Sequence, residues 1–294
     1  MPEGKNLLIT IFLNFIITAV EIAGGIAAGS LSLISDALHN FGDGVSVATS
    51  YAALKISERE NTAKMTFGYK RSQILAALFN SIILVAITIF LFREAYERFV
   101  HPSAINGVLM ISVAVIGFAA NTLSVFLLKH DVKDNLNIKS AYLHLFTDAL
   151  SSLAIIIGGI FVYYFNFYWI DPVLTVAIGL YVLKETYEII KKTVTILMEA
   201  TPEGIDVSKI KEEVEKLKGV KNLHHVHIWQ TDDKNVNFEG HVDLCDDLKI
   251  SQAHEIKEKI EKILEKFGIT HVTIQTEYNS CSNKNLIAAG TNLK

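Results

Sequence analysis

The sequence predicts a chain in two parts, a bundle of six membrane-spanning α-helices followed by a soluble α+β domain. Two observations carry this. Half of the 294 residues are apolar, and the positive mean hydropathy comes from long apolar blocks confined to the first two thirds. After the Thr201-Pro202-Glu203-Gly204 break the pattern changes to short amphipathic segments. A change of that kind separates a region built for lipid from one built for water.

Blocks long enough to cross a bilayer, which takes about 20 helical residues, run from Leu7 to Ala28, Leu31 to Ile56, Ser72 to Phe92, Val108 to Lys129, Ala141 to Phe165 and Pro172 to Ile190. The first has no small-residue cleavage site and carries Asn14 and Glu21, so it reads as a retained helix and not a signal peptide. Six crossings put both termini on one side. Lys55, Arg59, Lys64, Lys70 and Arg71 lie between spans two and three, and Lys129, Lys133 and Lys139 between spans four and five. The opposite loops offer Arg93 and Arg98, so the positive-inside rule places both termini in the cytoplasm.

In the tail, Asp206 or Ser208 is positioned to cap a helix reaching Lys218, ended by Gly219. Strands follow at Val220 to Thr231 and Val236 to Leu244, joined by a turn with Asp232 and Asp233. A second helix spans Ser251 to Phe267 and a last strand Ile269 to Glu277, giving the order αββαβ. Such a small domain buries little core, which favours dimerisation. The domains are therefore 1–198, 199–278 and a flexible tail, 279–294. The part before Glu199 is balanced at 14 basic and 14 acidic residues, while the remainder has 13 and 17. A mildly acidic soluble part argues against nucleic acid as a partner. Cys245 and Cys281, both in the tail, read as free thiols, with Cys281 an accessory metal contact in the alternative.

The chemistry lies in an internal repeat. Residues 38–46 and 143–151 both read L-H-x-F-x-D-x-x-S, one in the second span and one in the fifth. Helix positions four apart share a face, so each span projects an imidazole and a carboxylate about 6 Å apart. His39, Asp43, His144 and Asp148 then offer two nitrogens and two oxygens, a set suited to tetrahedral Zn²⁺. With two carboxylates and two neutral imidazoles the loaded site is formally neutral, which suits a low dielectric. The empty site has repelling carboxylates with raised proton affinity, so metal and protons compete. The alternative is a structural His and Asp pair within each helix, which duplication at equal spacing disfavours. Asp36, one turn before His39, reads as a helix-end acid near the outer surface, with a fifth polar contact or an entry residue as the alternative. Asn14, Thr18, Glu21, Asn80 and Asn121 mark the bundle-facing sides of their helices. His101 and His130 receive no role.

These residues resemble the cation diffusion facilitators, in particular the bacterial zinc exporter branch. The resemblance covers nearly the whole chain and rests on SLISDALHNFGD (Ser32 to Asp43), TFGYKRSQILAAL (Thr66 to Leu78), LNIKSAYLHLFTD (Leu136 to Asp148), Asp171 and Pro172, and HHVHIW and HVTIQTE in the tail. It implies a homodimer with six spans per subunit, a cytosolic metallochaperone-like domain of ferredoxin type, and export of zinc from the cytoplasm in exchange for protons. His39, Asp43, His144 and Asp148 match the family's transport ligands, and a His at the first of these is associated with zinc over cadmium. Arg71 and Glu199 match a charge interlock at the membrane edge of the dimer. His224, His241, His254 and Glu277 match cytosolic metal ligands, with His271 close by, while His225 and His227 are less easily assigned. Gln275 stands where some relatives have a further His, and the loop segments lack the His-rich insertions of others. The expectation is a zinc/proton antiporter of the plasma (inner) membrane of a prokaryote, with no organic cofactor.

Two other classes compete. A membrane hydrolase with catalytic zinc needs an open coordination position and a general base, and apart from Asp36 neither ligand-bearing span adds a spare acid. A metal sensor merely anchored in the membrane has no need of buried charge in its spans.

Overall fold

A computed structural model of the chain describes residues 3–128, 136–232, 235–279 and 284–287, with side chains other than those of 3–14, 127–128 and 136–141. The side chains of Asn14, Lys129, His130, Lys133, Lys139, Asp233 and Cys281 therefore lie outside what is described. The described chain falls into two compact units, Met1–Ala52 with Ala76–Ile190, and Ala53–Leu75 with Lys191–Lys294.

Six long helices come first: α1 (Glu3–Ala28), α2 (Leu31–Ser57), α3 (Ser72–Val100), α4 (Gly107–Leu128), α5 (Leu136–Phe165) and α6 (Ile170–Leu197). Among the described residues, Ser72–Val100, Gly107–Phe126 and Tyr142–Phe165 are apolar and long enough by themselves to cross a membrane. In α1 the apolar stretch with described side chains is Phe15–Ala28, and α2 and α6 fall short of that measure for a chemical reason. Helix α2 carries Asp36, His39 and Asp43, and α6 carries Lys184, Glu185 and Glu188. Several helices also outrun their apolar blocks. Helix α3 continues eight residues past Phe92 because charged residues extend it outside the apolar stretch, with Arg93–Glu97 at 3.4 Å and Arg98–Glu94 at 3.3 Å paired one turn apart.

The start of α2 is fixed from another helix. The first N–H groups of a helix lack intrahelical acceptors, and the fully buried Asp171 at the start of α6 supplies them. Its carboxylate accepts from the N–H of Leu31 at 2.7 Å and of Ser32 at 3.1 Å, and from the hydroxyls of Ser30 at 2.7 Å and Ser32 at 2.6 Å. The negative charge also sits at the positive end of the α2 dipole. The Asp-Pro pair at 171–172 is thus a cap supplied in space to the helix that carries His39 and Asp43.

Polar groups run through the interior of this unit. Glu21 is 1% exposed and accepts a hydrogen bond from Asn40 Nδ2 at 3.2 Å. Its Oε1, Thr18 Oγ1, Asn40 Oδ1 and both amide atoms of Asn121 are buried without a hydrogen-bond partner among the described residues. Thr18, Glu21, Asn80 and Asn121 all face inward, as their sequence positions suggested. Gly117 on α4 is what lets Glu21 approach, because a Cβ there would lie 2.2 Å from Oε1.

The soluble part contains α7 (Val207–Glu215), β1 (Val220–Gln230), β2 (Val236–Leu244), α8 (Ile250–Lys266) and β3 (His271–Glu277), in the expected order αββαβ. Asp206 caps α7 by accepting from the N–H groups of Ser208 and Lys209. The sheet order is β1-β2-β3, with β1 antiparallel and β3 parallel to β2. Both helices contribute to one apolar core, in which Ile210, Val214, Ile260 and Leu264 meet Leu223, Phe238 and Val242.

The tail reading needs one correction. Residues 284–287 dock on β1 and are not free: His225 N–H donates to Asn285 O at 3.1 Å, Val226 N–H donates to Leu286 O at 2.8 Å, and Leu286 packs on the core. A break in the β1–β2 register between His224 and His227 leaves those two donors without a partner on β2. Lys284 pairs with buried Asp243, whose carboxyl its ammonium holds below the usual carboxylate range.

Two outcomes follow from these contacts. Asp171→Ala removes a buried acceptor from two N–H and two hydroxyl donors; leaving even one such donor unsatisfied costs about 1–3 kcal/mol, so thermal unfolding in detergent should occur well below wild type, and an unchanged midpoint would mean the cap is not formed. Gly117→Ala should destabilise by about 1–3 kcal/mol through overpacking against Glu21, measured in the same way.

Candidate metal centre

The two sequence repeats meet inside the first unit. His39 Nε2 lies 3.6 Å from Asp43 Oδ2 on its own helix and 3.9 Å from Asp148 Oδ1 on α5. His144 Nε2 lies 3.1 Å from Asp43 Oδ2 and 3.6 Å from Asp148 Oδ2. The i, i+4 spacing brings each pair to one helix face, and the facing of α2 and α5 closes the ring. Four ligands at the bond lengths of zinc define a tetrahedron with edges of about 3.3 Å, and the four separations bracket that value. The imidazole centres are 5.7 Å apart with planes at 70°. His39 is 8% and Asp148 2% exposed, and both nitrogens of His39 and Oδ2 of Asp148 have no hydrogen-bond partner. Buried polar atoms are almost always satisfied, so orphan atoms on two neighbouring side chains mark a chemically incomplete arrangement.

Asp36 differs from its sequence reading. It is 1% exposed and lies within the helix bundle, accepting from Ser151 Oγ at 2.5 Å and Ser152 Oγ at 3.3 Å. Ser151 is the last residue of the second repeat, so that repeat both presents two candidate ligands and satisfies the acid next to the first.

Glu185 on α6 was not singled out from the sequence. Ligand atoms of His39, His144 and Glu185 all lie within 4.8 Å of one another, and Tyr181 Oη donates to Glu185. An acid inside the sixth apolar block was the available signal. Its presence also weakens the sequence argument against a hydrolase, since a spare carboxylate does stand beside the ring, on a helix other than α2 and α5.

The second cluster is in the sheet. His224 on β1 pairs in register with His241 on β2, with ring centres 5.5 Å apart, and Asp243 pairs with Glu277 on β3. His241 Nδ1 is 2.8 Å and His224 Nε2 3.6 Å from the Glu277 carboxylate. Burial pushes the pKa of His224 down, keeping its ring neutral and able to ligate. Gln275, the residue in place of a further His, donates to Glu277 Oε1 at 2.8 Å.

His254 and His271 do not join this cluster within the chain. His254 is exposed on α8 beside Glu258, where the period of the helix turns it from the core. His271 opens β3 opposite Asn237, six register positions from the Asp243–Glu277 pair at about 3.3 Å per residue. Arg71 and Glu199 form an ion pair at 2.6 Å within the second unit. Glu199 ends α6 in the left-handed region (φ 57°), with Ala200 N–H donating to Thr195 O and Glu199 N–H to Ile196 O. Cys245 is exposed and free.

Comparison with known proteins bears on both units. Residues 7–198 match the cation efflux transmembrane domain, and residues 202–279 match the cytoplasmic domain of cation efflux proteins. The chain is similar to a cadmium, cobalt and zinc/H(+)-K(+) antiporter of Bacillus subtilis, at 37% identity over 97% of this chain and 93% of the relative. It is 35% identical to the metal cation efflux system protein CzcD of Cupriavidus metallidurans, over 95% of this chain and 89% of that one. It is 34% identical to the zinc transporter ZitB of Escherichia coli, over 96% of this chain and 90% of that one. With transporter names throughout and two domain matches that together span most of its length, the chain belongs to the cation efflux family, the cation diffusion facilitators, and is a membrane transporter and not an enzyme.

Proposed function

We propose that this protein exports zinc from the cytoplasm in exchange for protons, with His39, Asp43, His144 and Asp148 holding the ion in transit. The closed ring of two imidazoles and two carboxylates, with N–O separations of 3.1–3.9 Å, is the observation that carries the reading. One Zn²⁺ neutralises two carboxylates that burial otherwise penalises, and two protons do the same when the ion leaves. Exchange of two protons for one divalent ion keeps the ring near neutral in both states, so neither state strands net charge in the bundle. The names of related proteins, which include zinc, cadmium, cobalt, protons and potassium, support a divalent transition metal as cargo and a monovalent cation as counter-ion.

In this reading the protein is a homodimer in the plasma membrane with both termini in the cytoplasm, and Arg71–Glu199 braces the membrane edge of the soluble part. His224, His241 and Glu277 bind a cytosolic zinc ion that signals metal load, and the proposal for that site is confined to these three. Glu185 and Tyr181 stand at the rim of the transport ring, where a carboxylate would attract an arriving cation.

The test is transport into liposomes holding a zinc dye and a pH dye. Wild type should move zinc against an opposite proton flux, and Asp148→Ala should lower the rate at least about tenfold, since even outer-shell changes at metal sites cost that much. Lowering the pH on the zinc-loading side should weaken zinc binding, because protons compete for the same atoms. Absence of zinc, cadmium and cobalt flux in wild type would overturn the proposal.

A further inference from the structure

Among the described residues three histidine pairs share one edge-on geometry, and two of these belong to the sites above. His39 and His144 have ring centres 5.7 Å apart at 70°, and His224 and His241 are 5.5 Å apart at 68°. His225 and His227 are 5.2 Å apart at 63°. Two imidazoles bound to one zinc at the tetrahedral angle place their ring centres about 5.2 Å apart, given a metal–nitrogen bond of about 2.0 Å and the radius of the ring. The third pair matches that centre-to-centre spacing as closely as the other two.

The backbone is distorted to make it. In a regular strand side chains alternate faces, and Leu223 packs in the core, so His224 faces away from it. Continued alternation would send His225 into the core and Val226 out of it. The chain avoids this with a bulge: His225 adopts φ 53°, a conformation that costs a non-glycine residue about 1–2 kcal/mol, and Val226 returns to the core while His227 pairs with Glu239. The residue in the strained position is an imidazole whose ring stacks on that of His241 at 4.8 Å and 24°. Strain held in a folded chain points to a use for the group it positions.

The pair also has an approach from solvent. His227 is exposed and lines a cavity of about 890 Å³ together with Glu239, Trp229 and Thr231. From there the rings run His227, His225, His241, His224, and exposure falls along that row until His224 is fully buried.

We propose that His225 and His227 form an outer binding site for a divalent transition-metal ion, from which the ion passes to the buried His224–His241–Glu277 cluster. Two protein nitrogens leave the remaining coordination positions to water or to the Glu239 carboxylate. Such a site binds weakly and exchanges quickly, which is what a point of capture requires. The passage inward rests on the reading of the inner cluster as a zinc site; the outer site does not.

The experiment is a Zn²⁺ titration of the full chain in detergent against a chromophoric chelator, comparing wild type with His225→Asn/His227→Gln. Asn is tolerated in the left-handed region, so the bulge and the fold are kept while both ligands are lost. The variant should hold one weakly bound zinc ion fewer per chain, with the tighter sites unchanged and the inner site loading more slowly in stopped flow. An unchanged number of zinc ions and an unchanged loading rate would overturn the proposal. In His224→Gln/His241→Gln the weak ion should persist; its loss there would show that no independent outer site exists, and this result is separate from any result on Asp148.

Discussion

Charge in a helix bundle that crosses lipid must be neutralised locally, and the first unit meets that requirement in different ways. Asp171 is neutralised by donors, taking the free N–H groups at the start of α2. Asp36 takes two serine hydroxyls, and Glu21 an asparagine amide. Asp43 and Asp148 face imidazoles, and three buried atoms of the ring, both nitrogens of His39 and Oδ2 of Asp148, lack a hydrogen-bond partner. Those two acids are the ones a cation would complete, and the other polar contacts hold α2 and α5 in place around them.

The same logic extends to the sheet. His224 is buried on the face of β1 away from the helices, with Glu277 as its acidic neighbour. The bulge at His225 frees the two backbone donors that hold the docked segment 284–287 and turns the His225 ring onto His241. One backbone irregularity therefore joins the C-terminal segment, the buried cluster and the exposed His227. A change of ion occupancy at the cluster would act on all three.

Much of this was legible in the sequence because helix and strand periods fix which residues share a face. The L-H-x-F-x-D-x-x-S repeat marked four side chains that α2 and α5 bring within 4 Å of one another in a ring, and the alternation in HHVHIW and HVTIQTE marked the strands. What escaped depends on contacts between distant segments. Asp36 looked like a terminal acid because its serine partners lie on α5, and Glu185 was passed over because α6 carries no repeat. The scatter of tail histidines hid that register joins His224 and His241 while it leaves His254 and His271 apart. The helix ends were placed short because charged residues outside the lipid continue a helix that an apolar count stops.

The central claim is that one transported ion is held by both repeats at once. Zinc-edge anomalous diffraction from crystals of the zinc-loaded full chain tests it directly. The account predicts a peak inside the ring, about 2.0–2.2 Å from His39, Asp43, His144 and Asp148. A zinc peak confined to the soluble domain, or one bound through Glu185 with either repeat left out, would contradict it.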